Sequence, residues 1–284
     1  MLMTIPEGVA GTPAAEIVHE VDVRRLLAFT AVLDDLSPPL FDLDRPGGIV
    51  GHPVFHVCLE WPLAVAGIPG LPMPAELRRL GLHVTHAATL HRPIRPGDRL
   101  RTTAGVERAE PRSVGTYLET RYETTDADGR PVATNLLGML YRGVTVEGGT
   151  PRRPEQPRPA AAAGPLAEVG SFPVGVADAI VYSECSGIWN PVHTDTHVAR
   201  AAGLPAPILH GTACLGRSVS LVVAALLDGD PLRVARVACR FTAIIVPETV
   251  VTVVAARRGD EIAFEARLPD GSAAIRDGVL GLQG

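Results

Sequence analysis

The 284-residue chain contains no lysine, and all 26 of its Lys and Arg positions are arginine. This absence excludes every mechanism that needs a lysine amine, such as Schiff-base formation, the anchoring of pyridoxal phosphate and phosphate binding by the lysine of a P-loop. The formal net charge is −5, and the arginines are dispersed along the sequence. No basic face is therefore expected, and we predict no nucleic-acid partner.

Cysteines and long apolar runs are also scarce. Cys58, Cys185, Cys214 and Cys239 form no C-x-x-C pair and have no paired spacing with histidine, so we expect no metal site and free thiols. The longest apolar stretch lies within Ser220–Leu227, far short of the roughly 20 residues that a membrane span needs. The first residues have neither the basic start nor the apolar core of a signal peptide. We predict a soluble cytoplasmic protein without a membrane partner.

Glycine and proline are abundant, with 29 and 26 residues. Such a content is too high for a mostly helical protein and is typical of short strands joined by turns. Residues Thr150–Pro165 contain five prolines and an alanine run, a composition that favours an extended linker. This predicts a first unit over residues 1–149, a linker over 150–165 and a second unit over 166–284.

The two halves share an order of elements. Ala28–Asp42 resembles Val181–Asp195 in spacing, and each segment precedes an apolar segment, Pro53–Gly67 or Leu209–Leu227, of which the second has the pattern of a buried helix. Each half then ends in β-rich sequence, including the β-branched runs Val234–Phe241 and Thr249–Ala255 and the hairpin turns of ETTDADGRPV and LPDGSA. Two helix-then-sheet units predict an α+β architecture.

A long motif begins at Tyr182, with the sequence YSECSGIWNPVHTD followed by AAGLPAPILHG. It resembles the signature of the MaoC-like acyl dehydratases and (R)-specific enoyl-CoA hydratases, Tyr-x-x-x-Ser-Gly-Asp-x-Asn-Pro-x-His with a later His-Gly. The matching residues are Tyr182, Ser186, Gly187, Asn190, Pro191, His193, Ala201, Ala202, Gly203, His210 and Gly211. HRPIRPGDRL (residues 91–100) is similar to the first-half strand and turn of two-domain members. The resemblance implies a double hotdog, in which two antiparallel sheets each wrap a long central helix and form a pseudo-dimer.

The resemblance also implies the chemistry of the site. His193 would move the proton, Asn190 would hold the turn, and Gly211 would offer a backbone N–H to the thioester oxygen at a helix start. Tyr182 and Ser186 complete the expected catalytic set. The family's aspartate falls on Ile188, which cannot transfer a proton. Because a positioned acid or base contributes roughly 10²–10⁴-fold in rate, we expect slow or absent water addition to an ordinary enoyl-CoA.

Two nearby carboxylates are candidates to replace the missing aspartate. Glu184 would lie four residues before Ile188 on a similar helix face, although such a glutamate is more often a solvated surface charge. Asp195 suits the cap of the helix that follows, THVARAAG. The sequence alone leaves open which carboxylate, if any, assists His193.

The first half lacks the motif. Aligning Pro39 with Pro191 sets Phe41 opposite His193 and Leu36 opposite Ile188, so this half is interpreted as a degenerate partner that supplies the acyl tunnel. The expected substrate-binding residues are Ile188, His210, Phe41 and Phe55. His83, His86 and His91 show no metal-ligand spacing.

These observations leave three hypotheses. The first is a lyase with hydratase or dehydratase chemistry at the α,β position of an acyl thioester. The second is a cyclase or isomerase of polyketide or other secondary metabolism, since a single histidine suffices for such a reaction. The third is a non-catalytic protein that binds acyl thioesters. No cofactor is expected, because CoA or phosphopantetheine is part of the substrate; an acyl carrier protein and a second copy of the chain are possible partners.

Overall fold

The computed structural model describes residues 3–11, 14–150 and 165–283. Most of the predicted linker, residues 151–164, lies outside the described residues. The first half contains β1 (Thr4–Ile5), β2 (Ala15–Glu20), α1 (Val23–Val32), α2 (Pro38–Phe41), α3 (Val57–Ala66), α4 (Ala75–Arg78), β3 (Leu82–Leu90), β4 (Arg99–Arg112), β5 (Gly115–Thr125), β6 (Pro131–Arg142) and β7 (Thr145–Val146). The second contains β8 (Ala167–Val174), α5 (Asp178–Ser186), α6 (Thr196–Ala201), α7 (Gly211–Leu226), β9 (Val234–Phe241), β10 (Thr249–Arg258), β11 (Glu261–Arg267) and β12 (Ala273–Leu282).

The ten long strands form one sheet, in the order β2-β4-β5-β6-β3-β9-β12-β11-β10-β8, and neighbouring strands are antiparallel. Each half contributes five adjacent strands. The two halves meet where β3 pairs with β9, for example at His86 and Cys239. The two sheets expected from the resemblance are therefore joined edge to edge into one continuous sheet. This arrangement is the predicted α+β double hotdog.

The outermost strands, β2 and β8, precede the helices of their halves and were missing from the sequence interpretation. Both start with Ala-Glu and occupy equivalent places at the two ends of the sheet. Their sequences are short and mix polar with apolar residues, since an edge strand of this sheet is largely exposed. They extend the internal repeat that the sequence predicts.

The central helices differ in length. α7 has sixteen residues, and it buries a face that includes Val219, Val222 and Val223 against the sheet. α3 has only ten residues, contains Pro62 and ends at Gly67, which has a φ of +90°. α3 packs on β2 and β4 of its own half, whereas α7 packs on β8, β10, β11 and β12. Both helices lie within the apolar segments that the sequence identifies.

The predicted hairpin turns are confirmed. The Asp126 amide donates to the Arg130 carbonyl between β5 and β6, and the Leu268 amide donates to the Ser272 carbonyl between β11 and β12. Strand β9 has the bounds expected from its β-branched run.

Direct contacts bind the two halves together. From α7, Arg217 donates to the Asp178 carboxylate at 2.7 Å within its own half and to the Val32 carbonyl of the first half at 3.3 Å. His52 of the first half lies 3.2 Å from the Ser220 hydroxyl of α7. In the described part of the chain, no helix is long and apolar enough to cross a membrane.

Candidate functional site

The end of α5 is shaped by the motif residues. The Ser186 hydroxyl donates to the Tyr182 carbonyl at 2.6 Å and accepts the Ile188 amide at 3.1 Å. Gly187 follows with a φ of +74°, a left-handed conformation that glycine adopts without strain. The helix therefore stops sharply, and the chain turns so that Ile188 faces inward.

The next turn is fixed by Asn190 and Pro191. The Asn190 side-chain amide donates to the Arg79 carbonyl at 3.1 Å, which ties this turn to the first half. Pro191 opens a short 3₁₀ turn, Pro191–His193, where its fixed φ suits the first position. The expectation that Asn190 holds the loop is thus matched by a specific contact, and the turn carries His193.

His193 is held by one of its two ring nitrogens. Its Nδ1 lies 2.8 Å from the Ile208 carbonyl oxygen, which only accepts hydrogen bonds, so Nδ1 carries the hydrogen and donates. Burial lowers the pKa of His193 to about 4, although the bond to Ile208 opposes this shift. The ring is therefore neutral at pH 7, and Nε2 has a free lone pair that can take up a proton.

A second histidine stacks on the first. The rings of His193 and His210 are 3.7 Å apart at 24°. His210 Nε2 lies 3.2 Å from both the Ser183 hydroxyl and the Ile188 carbonyl, so its ring is fixed in orientation. Burial, together with the neighbouring His193, holds the pKa of His210 well below its usual value. His210 is thus a fixed, neutral ring on which the ring of His193 stacks.

The start of α7 lies beside these rings. The first amides of a helix, here those of Gly211 and Thr212, have no partner within the helix. No side chain of His210 caps them. Gly211 also packs closely on Phe241, where an added Cβ would lie 3.1 Å from the ring. Unpaired amides at a helix start attract negative charge. The arrangement suits an enolate oxygen.

These groups open onto a cavity of about 500 Å³ that both halves line. The second half contributes Ile188, Asn190, His193, His210 and Gly211, and the first half contributes one face of α3 and part of β5. The structure thus brings together the histidine, the asparagine, the helix start and the isoleucine that the motif singles out. Ile188 is 6% exposed and presents an aliphatic side chain to the cavity.

Four of the expected site residues do not line this cavity. Tyr182 is buried behind it and donates to the Thr212 hydroxyl at 2.9 Å, and Ser186 is used within the turn. Phe55 is buried in the core, and Phe41 is 41% exposed on the surface. The catalytic roles expected for Tyr182 and Ser186 and the substrate-binding roles expected for Phe41 and Phe55 stay predictions, and none of these four side chains lines the cavity. The first pair shapes the site from behind.

Neither candidate replacement for the aspartate reaches the cavity. Glu184 is exposed on α5. Asp195 is exposed and caps α6, where its carboxylate accepts the amides of His197 at 2.7 Å and Val198 at 3.2 Å. The predicted capping role of Asp195 is confirmed.

A different carboxyl group lies in the cavity wall, and the sequence interpretation missed it. Glu60 is the only Asp or Glu among the described residues that line the cavity, and it is 3% exposed. The Asn135 side-chain amide donates to it at 2.8 Å. Burial raises the pKa of Glu60 to about 8. The sequence does carry a signal for this carboxyl group, because Glu60 is the single charged residue in the otherwise apolar segment VCLEWPLAVA (Val57–Ala66).

No metal centre is formed by the part of the chain that the structure describes. No group of three or more His, Cys, Asp and Glu side chains there is arranged to hold an ion. His56 and His86 lie 3.1 Å apart through their Nε2 atoms, and burial lowers the pKa of both. The four cysteines are free.

Comparison with known families matches both halves of the chain to dehydratases. The profile of the MaoC-like domain matches residues 147–271, and the profile of the FAS1-like dehydratase domain region matches residues 9–135. The second half of the chain therefore contains a MaoC-like domain, and the first half contains a FAS1-like dehydratase region. This assignment confirms the resemblance carried by the motif, whereas the placement of the family's aspartate at Ile188 stays a prediction.

Curated relatives of this chain include hydratases. Enoyl-CoA hydratase ChsH3 of Mycobacterium tuberculosis is 30% identical over 185 residues, which is 65% of this chain and 63% of the relative. Peroxisomal enoyl-CoA hydratase 2 of Arabidopsis thaliana is 29% identical over 109 residues, 38% of this chain and 35% of the relative. The matches thus span less than two thirds of either relative.

Solved structures support the fold. A MaoC-like dehydratase from Phytophthora capsici superposes with a TM-score of 0.83 at 22% identity and covers 97% of both chains. A Mycobacterium tuberculosis protein described as having a double hotdog fold superposes with a TM-score of 0.59 at 15% identity, covering 95% of this chain and 94% of that one. At these identities the likeness establishes the architecture alone.

Proposed function

We propose that the protein hydrates enoyl thioesters, or dehydrates the corresponding 3-hydroxyacyl thioesters, with His193 as the proton-transfer group. The observation that carries the proposal is the single hydrogen bond from His193 Nδ1 to Ile208, which leaves a basic Nε2 in a cavity next to an uncapped helix start. The hydratases among the curated relatives support the same reaction class.

One histidine is sufficient for both proton transfers of the reaction. His193 Nε2 takes a proton from water as the water oxygen bonds to the β-carbon. The electron pair of the double bond moves onto the thioester oxygen, where the amides of Gly211 and Thr212 stabilise the enolate. The imidazolium then returns the proton to the α-carbon, and His193 is neutral again. Dehydration is the reverse sequence.

The carrier of the acyl group is CoA or the phosphopantetheine arm of a carrier protein, neither of which needs a separate cofactor. Arg79 and Arg142 are exposed and line the cavity, so they place positive charge where a phosphate of either carrier would approach. Arg79 also lies next to the catalytic turn, because its carbonyl accepts the Asn190 amide.

A second candidate function is favoured by Ile188. An aliphatic side chain at the cavity wall does not orient water, and a reaction without water, such as double-bond isomerisation or cyclisation by conjugate addition, needs only the proton transfer of His193. A protein that binds acyl thioesters without turnover is the third possibility and keeps the same cavity.

The test is the loss of enoyl absorbance with crotonyl-CoA and a longer enoyl-CoA, for wild type, His193→Ala and His197→Ala. His197 is exposed on α6 and serves as the matched control. We expect wild type and His197→Ala to turn over alike, at the slow rate of a site that has Ile188 in place of an aspartate, and His193→Ala to lose on the order of 10²–10⁴-fold in rate. Equal rates for all three proteins would refute the role of His193; a silent wild type would leave isomerisation, cyclisation or binding.

A further inference from the structure

Polar side chains interrupt the apolar wall of the cavity on the side of the first half. Glu60 projects from α3, and Thr120 and Tyr122 project from β5 toward the same cavity. Asn135 on β6 is paired directly with Tyr122 and donates to Glu60 at 2.8 Å. We call Glu60, Thr120 and Tyr122 the polar cluster. Its members are contiguous, because residues two apart on a strand share a face and paired residues on adjacent strands are neighbours.

The polar cluster belongs to the part of the cavity that the first half builds. α3 lines it through Val57, Glu60, Trp61 and Ala64, the spacing of one helix face. Tyr122 packs in a core that consists of first-half residues. His193 and the start of α7 come from the second half. The groups that contact the reacting end of a thioester therefore come from the second half, and the polar cluster comes from the first half. An acyl chain that extends away from the reacting end enters the first half.

Polar groups in an apolar cavity wall lower the stability of the fold, and a ligand that binds to them gives them a function. A buried carboxyl group without a cationic partner costs stability, and an apolar side chain of similar size would fill the same space at no such cost. Glu60 has its hydrogen bond from a neutral amide. A carboxyl that keeps its proton both donates and accepts hydrogen bonds, as the hydroxyls of Thr120 and Tyr122 also do. A few placed polar groups in an apolar pocket are typical of ligand recognition.

We propose that the polar cluster binds an oxygen-bearing group, a hydroxyl or a carbonyl, on the acyl chain beyond the reacting carbons. The substrates are then oxygenated acyl thioesters rather than plain saturated-tail fatty acyl thioesters. This proposal rests on the proposed function for the identity of the ligand as an acyl thioester, and it adds the chemistry of the acyl chain.

The test is isothermal titration calorimetry, which measures the affinity of the whole protein for pairs of saturated acyl-CoA thioesters. These thioesters lack the double bond and do not react. Each pair is an ω-hydroxyacyl-CoA of six, eight or ten carbons and its unsubstituted parent. We expect wild type to bind the hydroxylated member of at least one pair tenfold more tightly. Glu60→Leu is expected to abolish this preference, whereas Glu119→Leu is expected to keep it. Glu119 is a buried glutamate on β5 that does not line the cavity.

Tyr122→Phe is a second variant, which removes one hydroxyl with little change in volume and is expected to reduce the preference. If wild type binds the parent equally well at every length, or if folded Glu60→Leu and Tyr122→Phe both keep the preference, the proposal is wrong. Loss of hydration of crotonyl-CoA in Glu60→Gln with unchanged binding would also overturn it, because Glu60 would then move the proton. Binding needs no turnover, so an inactive wild type that keeps the hydroxyl preference would refute the proposed function alone.

Discussion

His193 illustrates what a single residue reveals in sequence and what it does not. The Asn-Pro-x-His spacing predicts that this histidine faces a substrate. The bond from Nδ1 to Ile208 depends on a loop fifteen residues away in the chain, so the free nitrogen and the lowered pKa follow only from the tertiary contact. The same holds for Glu60, whose place in the cavity depends on how α3 packs.

Ile188 provides the sharpest prediction at the residue scale. Its side chain lines the cavity beside His193, so an aspartate there would supply a second acid–base group. We expect Ile188→Asp to raise the rate of crotonyl-CoA hydration at least tenfold, toward the 10²–10⁴-fold typical of such a group. The measurement is kcat/KM for each protein.

The matched control is Ile188→Asn, which has the same size and a similar burial cost but transfers no proton. It is expected to leave the rate at or below that of wild type. Equal gains in both variants would mean that polarity at this position, rather than proton transfer, limits the reaction.

At the scale of elements, the central helix α7 and the strands β9 and β10 were predictable because their apolar runs are long. The edge strands β2 and β8 were not, because an exposed strand of six or eight mixed residues has the composition of a loop. The motif turn was predictable in position, but the roles of Tyr182 and Ser186 behind the cavity follow from their hydrogen bonds.

The cap of α6 tests whether Asp195 acts in catalysis or in structure. Asp195→Ala removes two hydrogen bonds to helix amides and is expected to lower the free energy of unfolding by about 1 kcal/mol. Because Asp195 does not line the cavity, kcat/KM with crotonyl-CoA is expected to stay within about twofold of wild type. Urea unfolding and the enoyl assay measure the two effects.

Asp195→Asn serves as the control, since an asparagine also caps helices well. We expect it to retain the stability of wild type. A large loss of activity in both variants without a loss of stability would show that Asp195 is the missing acid.

At the scale of the whole molecule, the sheet is continuous through β3 and β9, and the cavity is lined by both halves. The internal repeat predicts two similar units. It does not predict that one face of α3 lines this cavity, because that depends on how the two helices pack rather than on either sequence alone.

Glu60 links this packing to pH. Its pKa in the folded protein is about 8 against an ordinary value of 4.5, so the folded state keeps a proton that the unfolded state releases over that window. The free energy of unfolding therefore falls as pH rises from about 4.5 to about 8, by up to about 1.4 kcal/mol per pH unit from this group. Glu60→Gln is expected to lack this contribution.

The measurement is urea unfolding of wild type and Glu60→Gln at several pH values between about 5 and 8. The difference isolates Glu60, because the other titrating groups are common to both proteins. We expect the stability of the variant relative to wild type to rise steadily with pH. A constant difference would mean that Glu60 is already ionised in the folded protein.

If a neutral His193 transfers the proton, its pKa controls the pH dependence of kcat/KM for crotonyl-CoA. Since His193 must be unprotonated to accept a proton, activity falls only as pH drops through its lowered pKa. We predict a rate that holds down to about pH 5 and then falls with the slope of one proton near pH 4, while circular dichroism shows that the fold persists. A fall centred near pH 6.5 would rule out a buried, neutral His193 as the proton-transfer group, because it would require an imidazole as solvated as that of a free histidine.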